Sequence, residues 1–376
     1  MNSSTDGDAD PAEAPSARPR GSVMRDVARL AGVSHQTVSR VLNEHPNVRP
    51  ETRARVLEAM RALNYRRNLA ARTLVTRRSR TLGIIGFETT LFGPASMLYG
   101  IEAAARQAGY FVSVATVPNL DRRSVLDAVD RLTQQSVEGI IAIAPKPTVT
   151  TALLQVPAGL ASVGVGGGAT DDDAVPTVRI DNGAGARLAT QHLLDLGHPT
   201  VHHVAGPIDW PEAYERIEGW RRTLYDAGAV VPPVAPGAWT ARSGYEQGMV
   251  LARDPSVTAI FCGNDQIALG VLRALHEAGR RVPEQVSVVG FDDTPDAEYF
   301  LPPLTTVRQD FAELGRRSLR VLLDQIDRQG RGRSPDHVVL APELVVRAST
   351  AMPGRARRRR GRPSGGARPG GPGGRG

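Results

Sequence analysis

The polar side chains best suited to specific chemistry in this chain lie in one short stretch near its N-terminus. Five of them fall within six residues: His35, Gln36, Thr37, Ser39 and Arg40. Their donors and acceptors have the length needed to reach base edges and phosphates in a DNA major groove. We expect His35, Gln36 and Arg40 to contact bases. The expected phosphate contacts are Thr37, Ser39, Asn43 and Asn47.

The spacing of apolar residues around this stretch predicts the elements that position it. The apolar side chains recur at three- and four-residue steps, at Val27, Ala28, Ala31, Val33, Val38, Val41 and Leu42. Gly32 interrupts the pattern, and Ser34 follows with a side chain suited to cap a new helix. Two short helices joined by a turn that contains glycine form a helix-turn-helix. The alternative is a small helical hairpin with a polar surface and no DNA role.

A third helix is predicted to complete this headpiece. Pro50 is suited to the first turn of a helix, and Val56, Met60 and Leu63 then fall on one face. That face can pack on the first two helices, so the headpiece is predicted to end near Tyr65.

The same stretch resembles the LacI family of bacterial transcriptional regulators. The family pattern D-V-A-x-x-A-G-V-S-x-x-T-V-S-R-V-L-N is matched without a gap from Asp26 to Asn43. The similarity continues at Val48, through the RPETR sequence of residues 49–53, and at Tyr65. The resemblance implies a homodimeric DNA-binding regulator that recognises a pseudo-palindromic operator.

Residues 68–74, NLAARTL, form a segment too short for a stable isolated helix. The resemblance implies a hinge helix that orders on operator DNA and pairs with its dimer mate in the minor groove. The implied roles are a base-step wedge for Leu74, close packing for Ala71, and polar contacts for Asn68 and Arg72. This chain has Arg67 where the family commonly has proline. A plain polar linker is the alternative.

Charge is distributed very unevenly along the chain, whose overall net charge is +7. Residues 22–80 carry thirteen arginines and four acidic residues. Residues 353–376 carry eight arginines and no acidic residue. The central residues 81–352 are left with a net charge of −8. A basic head and tail around an acidic body are typical of a nucleic-acid-binding protein with a separate second domain.

From residue 81 the pattern changes to short apolar strands alternating with helical segments. Strands are predicted at 82–87, 110–117, 138–144, 160–165, 177–180, 201–205, 259–262 and 287–290, and helices at 96–108, 122–135, 182–196, 214–227, 244–253 and 266–278. Two such cycles favour two lobes with parallel sheets and a ligand cleft at the carboxyl ends of their strands. The resemblance implies a periplasmic-binding-protein-like sensor with three crossovers between the lobes.

We therefore predict an all-α helix-turn-helix headpiece followed by a two-lobed α/β sensor domain. The predicted divisions are a disordered tail (1–21), the headpiece (22–67), the hinge and linker (68–80), the sensor and dimerisation domain (81–352), and a disordered basic tail (353–376). No apolar run approaches membrane-spanning length and no signal-peptide core is present, so we expect a cytoplasmic protein. Cys262 is the single cysteine, which excludes an intrachain disulfide.

The motifs that would indicate an enzyme are either absent or lack the structural context that they need. The glycine-rich residues 164–169 are followed by three aspartates and a proline, so no helix starts there to bind a pyrophosphate. Lys146 is the only lysine, and no Walker A loop is present. His202 and His203 are adjacent in a predicted strand, so they point to opposite faces and cannot share a metal. We expect no catalytic activity, no cofactor and no metal.

The resemblance also implies an effector site in the second lobe. The matching positions are Arg216 in ERIEGW, Trp239 in GAWTARSGY, Asn264 in CGNDQIALG, Asp292 in VVGFDDT and Gln309 in LTTVRQD. Carboxylate, amide and guanidinium groups bind vicinal hydroxyls, and an indole covers the apolar face of a pyranose. The predicted effector is a sugar or glycoside, β-galactoside-like.

Two departures bear on this prediction. Galactoside-responsive relatives place an acid at the end of strand 160–165, where this chain has Gly164, Val165 and Gly166. The first-lobe loop expected to face the ligand carries Phe92, Ala95 and Ser96, which are less polar than a strict monosaccharide site requires.

The resulting prediction is a repressor that a small sugar or glycoside releases from its operator. A corepressor-type regulator, in which a purine or sugar phosphate tightens DNA binding, remains the main alternative. A sugar-binding protein without a DNA role would carry a signal peptide and no helix-turn-helix. A carbohydrate-processing enzyme would need a catalytic acid/base pair.

Overall fold

The computed structural model describes residues 22–43, 45–65, 78–87, 89–119, 121–143, 149, 152–157, 159–167, 175–328 and 337–353. The chain divides into two compact units at the bond between Ser79 and Arg80. We call the described parts the headpiece (residues 22–65) and the body (residues 80–353). The predicted tails, 1–21 and all of 353–376 beyond Pro353, lie outside the described residues, as do the hinge positions Asn68, Ala71, Arg72 and Leu74.

The headpiece is the predicted bundle of three helices. They are α1 (Met24–Leu30), α2 (His35–Leu42) and α3 (Pro50–Ala62). Gly32 turns the chain between α1 and α2 with a φ of +65°, a conformation that favours glycine. The buried core of the three helices consists of Val27, Ala28, Ala31, Val38, Val41, Val56 and Ala59. The predicted helix-turn-helix is thereby confirmed.

Ser34 caps the N-terminus of α2 as its sequence position predicts. Its Oγ accepts a hydrogen bond from the backbone N–H of Thr37 at 3.1 Å. We expect Ser34→Ala to remove about 1 kcal/mol from the local stability of α2 and to speed amide exchange within that helix about fivefold. Mass spectrometry of the full chain measures this rate. Ser34→Asp supplies another capping oxygen and is the control; equal exchange in the two variants would contradict the capping role.

The body contains two parallel-stranded lobes built from elements that alternate along the chain. In order they are β1 (Thr81–Gly86), α4 (Phe92–Gln107), β2 (Phe111–Thr116), α5 (Arg122–Gln134), β3 (Gly139–Ile143), β4 (Ala161–Val165), β5 (Thr177–Ile180), α6 (Asn182–Asp195), β6 (His202–Val204), α7 (Pro211–Asp226), α8 (Ala241–Leu251), β7 (Ala259–Cys262), α9 (Asp265–Glu277), β8 (Ser287–Asp292), β9 (Thr305–Arg308), α10 (Phe311–Asp327), β10 (His337–Leu340) and β11 (Glu343–Val345).

Each lobe is organised around one sheet of the described residues. The first lobe has the strand order β10-β5-β4-β3-β1-β2, with every pair parallel. The second has the order β11-β9-β8-β7-β6, with β11 antiparallel to β9. The central strands are buried apolar runs, as parallel sheets covered on both faces require.

The chain passes between the two sheets three times, which agrees with the predicted three crossovers. The passages follow β5, β9 and β10. After the second passage α10 returns to the first lobe, where Phe311, Leu314 and Leu322 join its core. Gly100 of α4 and Gly315 of α10 allow these two helices to touch backbone to backbone, because a Cβ on Gly315 would collide with Gly100.

Several sequence-based boundaries were wrong or missing. Helix α4 begins at Phe92, so Phe92 and Ala95 lie in a helix and not in the predicted loop, and Ser96 lies within the helix that was predicted to begin with it. Pro94 is compatible with this helix, because proline fits the first helical turn, whose N–H groups have no intrahelical partner. Helix α7 likewise begins earlier, at Pro211. The pattern assigned no element after residue 290, although β9, α10, β10 and β11 follow.

Candidate functional site

The headpiece exposes the polar face of α2 that the sequence predicts. His35, Gln36 and Arg40 are exposed, whereas Val38 and Val41 on the opposite face are buried in the core. Among the predicted phosphate contacts, Asn43 and Asn47 are exposed and Thr37 and Ser39 are partly exposed. Core packing therefore orients α2 so that its donors and acceptors point outward, which is the arrangement a major-groove helix requires.

The body contains a cavity of about 310 Å³ bordered by both lobes. The first lobe contributes mainly apolar groups, among them Leu91, Phe92, Met97, Ile143 and Val165. The polar lining comes mostly from the second lobe and the crossovers, at Asn182, Glu212, Arg216, Asn264, Gln266, Asp292 and Gln309. Trp210 and Trp239 add two indole rings. All five predicted effector residues therefore line one cavity, whereas Ala95 and Ser96 line a separate groove.

Arg216 is the central charged group of this cavity and is 5% exposed. Its Nε donates to Asn182 Oδ1 at 2.9 Å, and its Nη1 donates to the Gly263 carbonyl. The guanidinium also lies 3.7 Å from the centroid of the Phe291 ring. Burial lowers the pKa of Arg216, against the attraction of the nearby carboxylates, but a guanidinium stays charged in proteins. The cavity therefore holds one fixed positive charge.

Asp292 faces this charge at the carboxyl end of β8. Its Oδ1 lies 3.8 Å from Arg216 Nη2 and accepts a hydrogen bond from Gln309 Nε2 at 2.6 Å. The backbone of Asp292 has a φ of +111°, which is rare for a residue with a Cβ and is typical of functional sites. Asp293 has a φ of +53° and instead pairs with Arg308 and Arg347. The turn thus directs only the first of the two aspartates into the cavity.

The buried carboxyl of Asp292 should make stability depend on pH. Burial raises its pKa to about 6, above the ordinary value of 3.8, so ionisation disfavours the folded state. The stabilisation that the neutral carboxyl provides is lost as pH rises from about 4 to about 6.

We therefore expect the stability of Asp292→Asn, relative to wild type, to increase across that interval by up to about 3 kcal/mol. Urea unfolding of both proteins at each pH measures the difference. The comparison cancels the opposing effect of the buried histidines, whose pKa values are lowered by desolvation. A difference that does not change with pH would contradict this prediction.

Asn264 and Trp239 both line the cavity but differ in whether their polar atoms have hydrogen-bond partners. Asn264 caps α9, because its Oδ1 accepts a hydrogen bond from the Ile267 N–H at 2.8 Å. Trp239 packs edge-on against Trp210 with the ring centroids 5.9 Å apart, and its Nε1 is buried without a partner among the described residues. Asn264 thus has a structural role as a helix cap, and Trp239 contributes an indole to the cavity lining; the effector contacts of both residues stay predictions.

Several cavity residues were missed by the sequence reasoning, among them Asn182, Trp210, Glu212 and Gln266. Asn182 follows β5 at the first crossover, and Gln266 is the second residue of α9. Both positions follow strand ends, which is the available signal for finding them. Trp210 and Glu212 flank Pro211 at the start of α7, and the sequence prediction placed that helix start too late to include them.

The described residues contain no group of three or more histidine, cysteine or acidic side chains able to hold a metal ion. His203 is buried and stacked on Phe261, and desolvation lowers its pKa to about 4.

No helix in this part of the chain is both long and apolar enough to cross a membrane.

The fold and cavity define a class of protein, namely a helix-turn-helix headpiece joined to a two-lobed α/β ligand-binding body. Two family models agree with this description. Residues 23–68 match "Bacterial regulatory proteins, lacI family", and residues 190–350 match "Periplasmic binding protein-like domain". The lactose operon repressor of Escherichia coli strain K12 is 35% identical over 335 residues, covering 87% of this chain and 90% of that protein. The chain belongs to the LacI family.

Solved structures show the same similarity. A lac repressor dimer bound to operator and the anti-inducer ONPF matches with a TM-score of 0.78 and 34% identity, covering 88% of this chain and all of that one. A complex of the transcriptional regulator CelR with cellobiose matches with a TM-score of 0.65 and 33% identity, covering 87% of this chain and 99% of that one.

Proposed function

We propose that this protein is a homodimeric transcriptional repressor that a small glycoside releases from a pseudo-palindromic operator. The observation that carries the proposal is the cavity in which Arg216, Asp292 and Gln309 form a connected polar cluster beside the indole of Trp239. That combination suits a ligand with vicinal hydroxyls on one side and an apolar ring face on the other. The relatives bound to operator and to cellobiose support the same function.

The two lobes provide a means of switching. A ligand that contacts both lobes changes their preferred relation, and a dimer whose lobes form its contacts transmits that change to the paired headpieces. The proposed hinge positions Asn68, Ala71, Arg72 and Leu74 connect the headpiece to the body, with Leu74 as the minor-groove wedge. The predicted contacts of α2 supply sequence recognition.

We further propose that the protein has no catalytic activity and acts in the cytoplasm, where the bacterial chromosome lies. The described residues that line the cavity include no serine, cysteine or histidine, and the contact of Ser287 Oγ with His198 Nε2, at 3.0 Å, is buried and does not line the cavity. Purified protein should therefore leave chromogenic glycosides uncleaved.

The test begins with an operator selected from random duplexes by the purified full-length protein. Fluorescence anisotropy then measures binding of that operator while cellobiose, lactose and other glycosides are added, with purines and sugar phosphates in parallel. A glycoside that lowers operator affinity at least about tenfold would support the proposal. A purine or sugar phosphate that tightens binding would establish the corepressor alternative. Operator binding unaffected by every glycoside would contradict the proposed inducer.

A further inference from the structure

Glu212 forms a polar contact across the cavity that the proposed effector site does not account for. Its helix, α7, belongs to the second lobe, and its Oε1 accepts a hydrogen bond at 2.8 Å from the backbone N–H of Gly167 in the first lobe. Gly166 and Gly167 follow β4 and both have positive φ values, of +78° and +76°. The two glycines turn the chain so that a backbone donor, with no side chain of its own, points at the carboxylate.

The carboxylate lies in contact with the position where a side chain at the end of β4 would begin. A Cβ placed on Gly166 would lie 3.4 Å from Glu212 Oε1 and 3.4 Å from the Met97 sulfur. The first lobe thus presents no acid at this strand end, and the second lobe delivers one to the same place. A ligand between the lobes would meet a carboxylate that belongs to the second lobe and is already hydrogen-bonded to the backbone of the first.

The second carboxylate oxygen of Glu212 is left for another partner. Oε2 is shielded from solvent and has no hydrogen-bond partner in the described part of the chain. The same is true of Trp239 Nε1 and Gln266 Oε1, and all three residues line the cavity. Buried polar atoms without partners are costly, so they mark positions where a bound molecule supplies the missing hydrogen bonds. Two acceptors and one donor match a polyhydroxylated ligand.

We propose that Glu212 is a specificity-determining residue of the effector cavity. Its Oε1 holds the Gly167 backbone of the opposite lobe, and its Oε2 accepts a hydrogen bond from one hydroxyl of the glycoside. This assignment rests on the proposed function, because it takes a glycoside as the ligand. The same carboxylate would bind the ligand hydroxyl through Oε2 and the Gly167 backbone through Oε1. The recognised hydroxyl would therefore be linked to both lobes through Glu212.

Two variants of Glu212 separate its contacts. Glu212→Ala removes both the hydrogen bond to Gly167 and the acceptor for the ligand. Glu212→Gln keeps a side-chain oxygen for Gly167 but loses the charge. Glu218→Gln is the matched control, because Glu218 lies on the same helix, outside the cavity, and pairs with Arg221.

The first measurement is ligand binding, by thermal shift and calorimetry with cellobiose, lactose and their single deoxy analogues. We expect Glu212→Ala to weaken binding of the active glycoside about 10- to 100-fold, the loss typical of a hydrogen bond to a charged group. The deoxy analogue that lacks the recognised hydroxyl should bind the wild type as weakly as the complete glycoside binds Glu212→Ala. The affinity for this analogue should not fall further when Glu212→Ala is introduced. Equal glycoside affinity in Glu212→Ala and Glu218→Gln would overturn the assignment while leaving the repressor function intact.

The second measurement needs no ligand and follows amide exchange at Gly167 by mass spectrometry. Glu212→Ala should speed this exchange at least about tenfold, whereas Glu212→Gln and Glu218→Gln should leave it near the wild-type rate. If no glycoside raises the melting temperature of the wild type, the proposed effector class fails, and exchange at Gly167 alone decides the contact between the lobes. Unchanged exchange in Glu212→Ala would overturn that contact.

Discussion

Arg216→Ala is expected to lower the free energy of unfolding of the body by about 3–5 kcal/mol and to weaken glycoside binding by more than about 100-fold. Its guanidinium is the buried positive charge that faces Asp292, and it also holds the Asn182 side chain and the Gly263 carbonyl. Without it, the ionised carboxyl of Asp292 stays in the protein interior with no opposite charge at this site. The Asn182 side chain and the Gly263 carbonyl lose their donor as well.

Urea unfolding followed by tryptophan fluorescence measures the loss of stability. All three tryptophans of the chain, Trp210, Trp220 and Trp239, lie in the second lobe, so the signal reports on the lobe that contains the substitution. Arg222→Ala is the matched control on the same helix, because Arg222 is exposed and pairs only with Asp226 among the described residues. It should change the stability by less than about 1 kcal/mol.

A second substitution tests whether charge is the cause. In Arg216→Ala combined with Asp292→Asn, no ionised carboxylate remains at position 292, so part of the lost stability should return. Glycoside binding should stay weak, because both the guanidinium and the carboxylate are gone. Equal stability of Arg216→Ala and Arg222→Ala would contradict the central role assigned to Arg216.

The features that could be predicted from the sequence are those determined by neighbouring residues. The turn at Gly32, the cap at Ser34 and the buried face of α2 all follow from spacing within twenty residues. The cap at Asn264 is equally local, since a polar residue between a strand and a helix is well placed to accept from the first helical turn. Local patterns therefore gave the headpiece and most of the alternation in the body.

The features that could not be predicted depend on contacts between distant residues. Glu212 meets Gly167 across 45 positions of sequence, and Arg216 meets Asn182 across 34. No periodic pattern indicates that these pairs meet, because the first contact lies between the two lobes and the second lies between the packed helices α6 and α7. Helix α10 is a different case: the helical spacing of Phe311, Leu314 and Leu322 was visible in the sequence, so that omission was avoidable.

The largest effects in the headpiece are expected from Gln36→Ala and Arg40→Ala. Glutamine and arginine can each make paired hydrogen bonds to one base in the major groove, with adenine and guanine respectively. Both side chains are exposed on α2, away from the buried Val38 and Val41. Each substitution should weaken binding to the selected operator by about 1–3 kcal/mol, or about 5- to 150-fold, and relax the preference at one base pair of each half-site.

Fluorescence anisotropy at one fixed salt concentration, with the selected operator and a scrambled duplex, measures this specificity directly. Loss of base contacts weakens operator binding while leaving scrambled binding nearly unchanged, because non-specific affinity comes from phosphate contacts. Arg55→Ala on α3 removes the same charge from an exposed position outside α2 and is the control, expected to affect both duplexes alike. If Gln36→Ala and Arg40→Ala also lowered both affinities by the same factor, these side chains would be phosphate contacts, and sequence recognition would have to come from elsewhere in the protein.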